Sequence, residues 1–139
     1  MVPILATYQG DLRCLAVHGP SGAELHTDAP IDNEGRGEGF SPTDLLATSL
    51  AVCVMTILGI IARRDGLDLT GMTASVEKHM VADPNRRIGR LPLTITIPGN
   101  VDERTRTRLE RAAHTCPVHQ SLRPDIDATM TFVYPDLEA

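Results

Sequence analysis

The longest apolar stretch of the chain runs from Leu45 to Ala62 and places apolar side chains on nearly every face of a helix. Ser41, just before it, can cap the first helical turn, and Pro42 fits the first helical position. Asp44 stands three residues after Ser41, where a carboxylate can reach back as in a capping box. Gly66 suits the C-terminal cap. The pattern predicts a long helix that starts at Pro42, ends near Gly66 and is buried on all sides.

Alternation of apolar and polar residues predicts β-strands on both sides of this helix. The runs are Ile4 to Tyr8, Leu12 to His18, Ala23 to Thr27, Met72 to Val81, Leu91 to Ile97 and Ile126 to Tyr134. Turn-forming residues, Gln9-Gly10-Asp11 and Asp83-Pro84-Asn85, separate the first run from the second and the fourth from the fifth. Two hairpins are therefore expected, with the basic cluster from Arg86 to Arg90 as a solvated turn.

Two shorter helices are predicted before the last strand. The first starts at Val101-Asp102-Glu103 and carries Leu109 on its apolar face. Cys116-Pro117 interrupts it, because proline cannot continue a helix without a kink, and Pro117 to Leu122 forms a second helical turn. The element order is that of an α+β protein with antiparallel sheet, and its length suits one domain of residues 1–139.

Charge and composition exclude several classes of function. The chain has 139 residues and a net charge of −5, which disfavours binding to a phosphate backbone. Met1 to Gly10 lacks the basic and apolar regions of a signal peptide, so a cytoplasmic location is expected. Small polar residues within the long helix favour a protein core over a membrane. In the cytoplasm, the three cysteines are better explained as reactive or buried thiols than as a disulfide framework.

Two cysteines are candidates for chemistry. Cys53 lies in the middle of the most apolar helix, where a cysteine is most often a small buried hydrophobic residue. Cys116 precedes Pro117 at the start of a new helix, where backbone amides can stabilise a thiolate and lower its pKa. It can equally be a simple N-cap. The residues alone leave both readings open for each cysteine.

A zinc site is the first alternative to thiol chemistry. His114, Cys116 and His119 are close in sequence, and Cys53 could supply a fourth ligand. Their spacing matches no structural zinc pattern, and a second cysteine pair is missing. Neither a metal nor a cofactor is therefore expected.

Two motifs give the chain a resemblance to the OsmC/Ohr family of thiol-based peroxidases. The stretch from Phe40 to Cys53, FSPTDLLATSLAVC, resembles the first-cysteine helix of that family. The stretch from Ala112 to Val118, AAHTCPV, resembles its second-cysteine motif. The spacing of the two cysteines and the order of elements also match, so the resemblance covers essentially the whole chain. It implies an intertwined homodimer in which antiparallel sheets pack around a long central helix.

The resemblance also implies a mechanism. Cys53 would attack an organic hydroperoxide as thiolate and become a sulfenic acid, and Cys116 would condense with it to a disulfide. A dithiol reductant, of lipoyl or thioredoxin type, would restore both thiols by exchange. An arginine near the N-terminus holds the thiolate in this family, and Arg13 matches that region. The residues alone, apart from the resemblance, favour a solvated surface charge for Arg13. Arg36 and His119 are alternative candidates for the group that stabilises the Cys53 thiolate.

One position departs from the family, and one further alternative stays open. Ohr-type members carry a glutamate where this chain has Thr43, and that glutamate pairs with the catalytic arginine. The difference indicates a divergent branch.

The alternative function is a non-catalytic protein that binds an apolar small molecule in the same interface pocket. A binder needs no disulfide between Cys53 and Cys116, so thiol reactivity distinguishes the two functions.

Overall fold

A computed structural model describes residues 1–137 of the chain. The described residues form two compact units, residues 1–46 and residues 47–137, with the division inside the long helix. The first unit is an antiparallel sheet of three strands in sequence order, β1 (Ile4–Gly10), β2 (Arg13–His18) and β3 (Glu24–Asp28). The first hairpin and its third strand are thus confirmed.

The helix α1 (Pro42–Arg64) begins and ends where its capping residues predict. At its start, the amide of Asp44 donates to Ser41 Oγ over 3.0 Å and the amide of Ser41 donates to Asp44 Oδ2 over 2.9 Å, a reciprocal capping box. At its end, Gly66 adopts a left-handed φ of 71°, and the amide of Leu67 donates to the carbonyl of Ala62 over 2.8 Å. This is a Schellman cap, which satisfies the last helical carbonyls.

The expectation that α1 is buried on all sides is wrong for the single chain. One face is buried, through Leu50, Val54 and Leu58, but Val52 and Ile60 on another face are 49% and 42% exposed. A chain of this size does not supply enough other elements to surround a helix of 23 residues. Within residues 1–137, α1 alone is long and apolar enough to cross a membrane by length and composition, a test that core helices of soluble proteins also pass.

The second predicted hairpin is present but divided into two parts. The strands β4 (Thr73–Val76), β5 (His79–Val81), β6 (Arg87–Arg90) and β7 (Leu93–Thr96) follow α1. β5 pairs with β6, and β4 pairs with β7, both antiparallel. The interpretation of the arginine cluster as a solvated turn is therefore wrong, because its centre is a paired strand in which Ile88 and Gly89 are buried.

The last three elements are α2 (Glu103–Ala113), α3 (Pro117–Ser121) and β8 (Met130–Val133). Asp102 caps α2 by accepting a hydrogen bond from the amide of Thr105 over 2.8 Å. β8 pairs with β7 in parallel, while the other strand pairs are antiparallel in the described residues, apart from an isolated bridge. The two intervening helices form the crossover that a parallel pair requires. The α+β class is confirmed, with this one parallel pair.

The apolar core lies entirely in the second unit. The large side chains that are fully buried there come from α1, β7 and α2 and from the segments that flank them. They are Leu50, Val54, Leu58, Leu91, Leu93, Ile95, Ile97 and Leu109. One face of α1 thus shares a core cluster with residues of β4, β7 and β8, and Cys53 is packed against this cluster.

Candidate functional site

The structure brings the two candidate cysteines together, although they are far apart in sequence. Cys53 lies half-buried in the middle of α1, and Cys116 is fully buried at the N-cap of α3. α3 starts there because Pro117 occupies its first position, where the missing amide hydrogen has no helical partner to lose. The side chains of Cys53 and Cys116 lie close enough together for Cys53 to raise the pKa of Cys116, and both are free thiols.

The surroundings of Cys116 favour its protonated form. Burial raises the pKa of the Cys116 thiol, and the neighbouring Cys53 side chain raises it further. The amide of His119 donates to Cys116 Sγ over 3.3 Å, and it acts in the opposite direction together with the amide of Val118. The expectation that helix amides lower the pKa of Cys116 is therefore wrong in the net direction, because desolvation outweighs these two hydrogen bonds.

His119 stands next to this thiol pair. Its Nδ1 atom is buried and has no hydrogen-bond partner, and its ring meets the ring of His114 edge-on, with centroids 5.7 Å apart. His114 is exposed, and its Nδ1 lies 3.0 Å from the carbonyl oxygen of Glu110. No group of three or more His, Cys, Asp or Glu side chains among residues 1–137 is arranged to hold a metal ion.

Arg13 lies in the first unit, between two carboxylates. It is directly opposite Asp28 in the pairing of β2 with β3, and its Nη2 atom lies 3.7 Å from Asp28 Oδ2. The same nitrogen donates a hydrogen bond to Glu38 of the glycine-rich segment. That hydrogen bond, followed by the charges of Asp28 and Glu38, raises the pKa of Arg13. Arg13 is thus ion-paired, and its side chain is still 38% exposed.

A cavity of about 250 Å³ adjoins Arg13 and is lined by polar residues including Asp28 and Glu38. Asp28 is 4% exposed, and its Oδ2 atom accepts a hydrogen bond from the amide of Glu38 over 3.0 Å. Sequence reasoning missed both carboxylates. Asp28 could be found only from the strand register, and Glu38 only from the path of an irregular segment.

Thr43, which stands where Ohr-type members carry a glutamate, lies among the residues that cap α1. Thr43 Oγ1 lies 3.1 Å from Ser41 Oγ, and the Asp44 carboxylate accepts the hydrogen bond from the Ser41 amide. Asp44 is therefore committed to the start of α1. The carboxylates that do reach Arg13, Asp28 and Glu38, precede the helix.

Comparison with known proteins identifies the family. The sequence profile described as OsmC-like protein matches residues 35–131, more than half of the chain. The chain belongs to the OsmC family. An organic hydroperoxide resistance protein from Xanthomonas axonopodis pv. citri (strain 306) is 28% identical over 117 residues, which cover 78% of this chain and 77% of the relative.

Solved OsmC-like structures share the fold. A crystal structure from Psychrobacter arcticus 273-4, of a protein with a suggested role in osmotic stress and detoxification, is 49% identical. Its TM-score is 0.90, over 95% of this chain and 96% of that chain. An OsmC organic hydroperoxide resistance protein from Legionella pneumophila is 17% identical, with a TM-score of 0.73 over 96% of each chain. At 17% identity, the Legionella structure shows a similarity of fold alone.

Proposed function

We propose that this OsmC-like protein is a thiol-dependent peroxidase that reduces organic hydroperoxides through Cys53 and Cys116. The observation that carries the proposal is the proximity of these two side chains, one in the middle of α1 and the other at the N-cap of α3. Two neighbouring thiols can form a disulfide with little rearrangement. The hydroperoxide resistance protein of Xanthomonas, a relative over most of the chain, supports the same chemistry.

The reaction has two oxidative steps and one reductive step. The Cys53 thiolate attacks the O–O bond of the hydroperoxide, and with one proton the products are an alcohol and a Cys53 sulfenic acid. Cys116 then attacks the sulfenic sulfur, so that an S–S bond forms, the S–O bond breaks and water leaves. A dithiol reductant, of lipoyl or thioredoxin type, returns both cysteines to thiols and is itself oxidised to a disulfide.

The roles of the two cysteines follow from their environments. Cys53 is half-buried, whereas Cys116 is fully buried, so a peroxide reaches Cys53 more easily. The raised pKa of Cys116 keeps that residue a thiol beside a Cys53 thiolate. A protonated thiol is a poor nucleophile towards peroxide, but it can resolve a sulfenic acid held next to it once it has lost its proton. We assign Cys53 as the peroxidatic residue and Cys116 as the resolving residue.

From the family resemblance alone, we propose Arg13 as the cation that favours the Cys53 thiolate. An arginine stays charged in a partly buried site, and an opposite charge near a thiol lowers its pKa. We also propose that the protein works as a homodimer. The exposed apolar residues of α1 and the exposed sheet residues Ile4 and Leu5 form surfaces of the kind that normally mark an interface.

Intact-mass measurement of single-cysteine variants tests this proposal. Treated with an organic hydroperoxide, the wild type should lose two hydrogens as the disulfide forms. Cys116→Ser should stop at a Cys53 sulfenic acid that a sulfenic-specific reagent traps, and Cys53→Ser should consume almost no peroxide. Cys14→Ser is the matched control and should behave as wild type. Sulfenic acid at Cys116 of Cys53→Ser, formed at the wild-type rate, would reverse the assignment.

Catalytic turnover separates a peroxidase from a binding protein of the same fold. Peroxide consumption with lipoyl-type and thioredoxin-type dithiols should be continuous and should stop in both Cys53→Ser and Cys116→Ser. A protein that only binds an apolar small molecule would show neither turnover nor the disulfide.

A further inference from the structure

We infer that the imidazole of His119 accepts the proton of Cys116 when Cys116 attacks the oxidised Cys53. This inference rests on the proposed Cys53 and Cys116 redox pair. In the peroxidase cycle the Cys116 thiol loses a proton, the new S–S bond forms, and hydroxide leaves Cys53 as water after taking up a proton. A base beside Cys116 can take the first proton and return it to the leaving hydroxide.

The environment of Cys116 creates the need for such a base. The thiol is fully buried, and its pKa is raised by that burial and by Cys53. Only the thiolate is an effective nucleophile in thiol exchange. Without a proton acceptor, attack would depend on the small fraction of Cys116 that ionises by itself.

His119 is placed to provide the base. It is the third residue of α3, counted from Pro117, and a side chain at that position can reach back towards the N-cap residue, here Cys116. The backbone shows this proximity directly, because the His119 amide donates to Cys116 Sγ over 3.3 Å. The Nδ1 atom of the His119 ring is buried and has no partner, so in the tautomer with its hydrogen on Nε2 the Nδ1 lone pair can accept a proton. Imidazole is the side chain whose protonation changes near neutral pH.

The other titratable groups nearby are already engaged or are reactants. Cys53 on α1 is the electrophile. On α2, the Glu110 carboxylate accepts a hydrogen bond from the Tyr134 hydroxyl over 2.8 Å, and the Glu110 carbonyl lies 3.0 Å from His114 Nδ1. His114 is exposed and meets the His119 ring only edge-on.

The resolving step can be measured without any peroxide. In a Cys14→Ser background, Cys53 displaces one aryl thiolate from an aromatic disulfide, dithiobis(nitrobenzoate), and becomes a mixed disulfide. Cys116 then displaces the second aryl thiolate as it forms the disulfide with Cys53. Each release is followed by absorbance. The aryl thiolate leaves without a proton, so the second phase reports the deprotonation and attack of Cys116 alone.

We expect His119→Gln to slow the second release at least about tenfold at pH 7, since general base catalysis typically contributes a factor of this size or more. The first release should change less than about twofold. The slowing should diminish at alkaline pH, where Cys116 ionises without help, and a misfolded variant would not recover in this way. His114→Gln, an exposed histidine next to the same ring, is the matched control and should resemble the parent.

Three outcomes would overturn the inference. Equal second-phase rates for His119→Gln and its parent leave the redox pair intact and remove the role of His119. A slow second phase that stays slow at alkaline pH assigns His119 a structural role. A parent protein that releases only one aryl thiolate contradicts the redox pair and the inference together. A parent that releases both but consumes no hydroperoxide contradicts the peroxidase function and leaves the role of His119 standing.

Discussion

Residues 47–137 and residues 1–46 place their apolar side chains in opposite ways. Every buried apolar residue of the described chain lies in the second unit, in one cluster that includes Cys116. In the first unit the buried residues are Asp28 and Ser41, both polar, while apolar residues such as Ile4 and Leu5 are about 70% exposed. The second unit therefore resembles a conventional globular core, and the first resembles half of an interface.

This difference separates two kinds of chemistry. A three-stranded sheet without a covered apolar face has little to stabilise it, so the first unit is expected to depend on a partner surface. The thiol pair belongs to the second unit, where close packing sets the distance between Cys53 and Cys116. The ion pairs of Arg13 belong to the first unit, where charged and polar groups dominate.

The largest expected effect is on the free energy of unfolding. It is measured by replacing a buried leucine and an exposed leucine with alanine. Leu58→Ala removes a fully buried side chain of α1 and should cost about 2–5 kcal/mol of unfolding free energy, from lost burial and the cavity left behind. Leu5→Ala, in the first unit, should cost no more than about 1 kcal/mol at protein concentrations low enough for the chain to be a monomer, where Leu5 is exposed. Urea unfolding at a fixed protein concentration measures both. An equal cost would show that the first sheet is covered in solution as well as the core.

A tenfold change in the alkylation rate of Cys53 is expected when the charge of Arg13 is removed. Arg13→Met keeps the side-chain length and removes the charge, so alkylation of Cys53 at neutral pH should slow about tenfold, as for a shift of one pKa unit. Arg36→Met, in the glycine-rich segment of the same unit, is the matched control and should leave the rate unchanged. If alkylation slows in Arg36→Met and not in Arg13→Met, Arg36 is the cation that stabilises the thiolate. If the rate changes in neither variant, neither arginine stabilises the Cys53 thiolate.

A twofold change in mass is expected for the dimer. Val52→Lys and Ile60→Lys together place charges on the exposed apolar face of α1 and should convert a dimer into a species of half the mass. Light scattering at micromolar concentration measures this. Thr107→Lys, on the exposed face of α2, should leave the mass unchanged. A folded wild-type monomer at that concentration contradicts the proposed homodimer.

The smallest expected effect is a loss of stability at alkaline pH that depends on one thiol. Because the pKa of Cys116 is raised in the folded state, its contribution to stability is fully present below the ordinary thiol value of about 8.5. It is lost as pH rises from there towards the raised value. Urea unfolding under reducing conditions should show this decline in the wild type and a smaller one in Cys116→Ala. Cys14→Ala, in the first unit, should decline as the wild type does.

Local signals in the sequence predicted more of the fold than long-range ones. The two ends of α1 and the start of α3 are set by residues within one helical turn, such as Ser41, Gly66 and Pro117, so they could be located without knowing the fold. The second hairpin was harder. Its division into β4–β7 and β5–β6 depends on which residues pair across the turn, and Gly89 became buried through contact with Val81, which no local pattern reveals.

The sequence by itself determined the OsmC-like family, the helix that carries Cys53 and the proline that starts the helix after Cys116, because these depend on motifs and on short-range backbone chemistry. The tertiary structure alone decided that the two thiols lie next to each other and that burial raises the pKa of Cys116. It also decided that Arg13 meets Asp28 and Glu38. These properties depend on the burial of particular atoms and on contacts between distant segments, and the free energy of a charge is set by its surroundings in space.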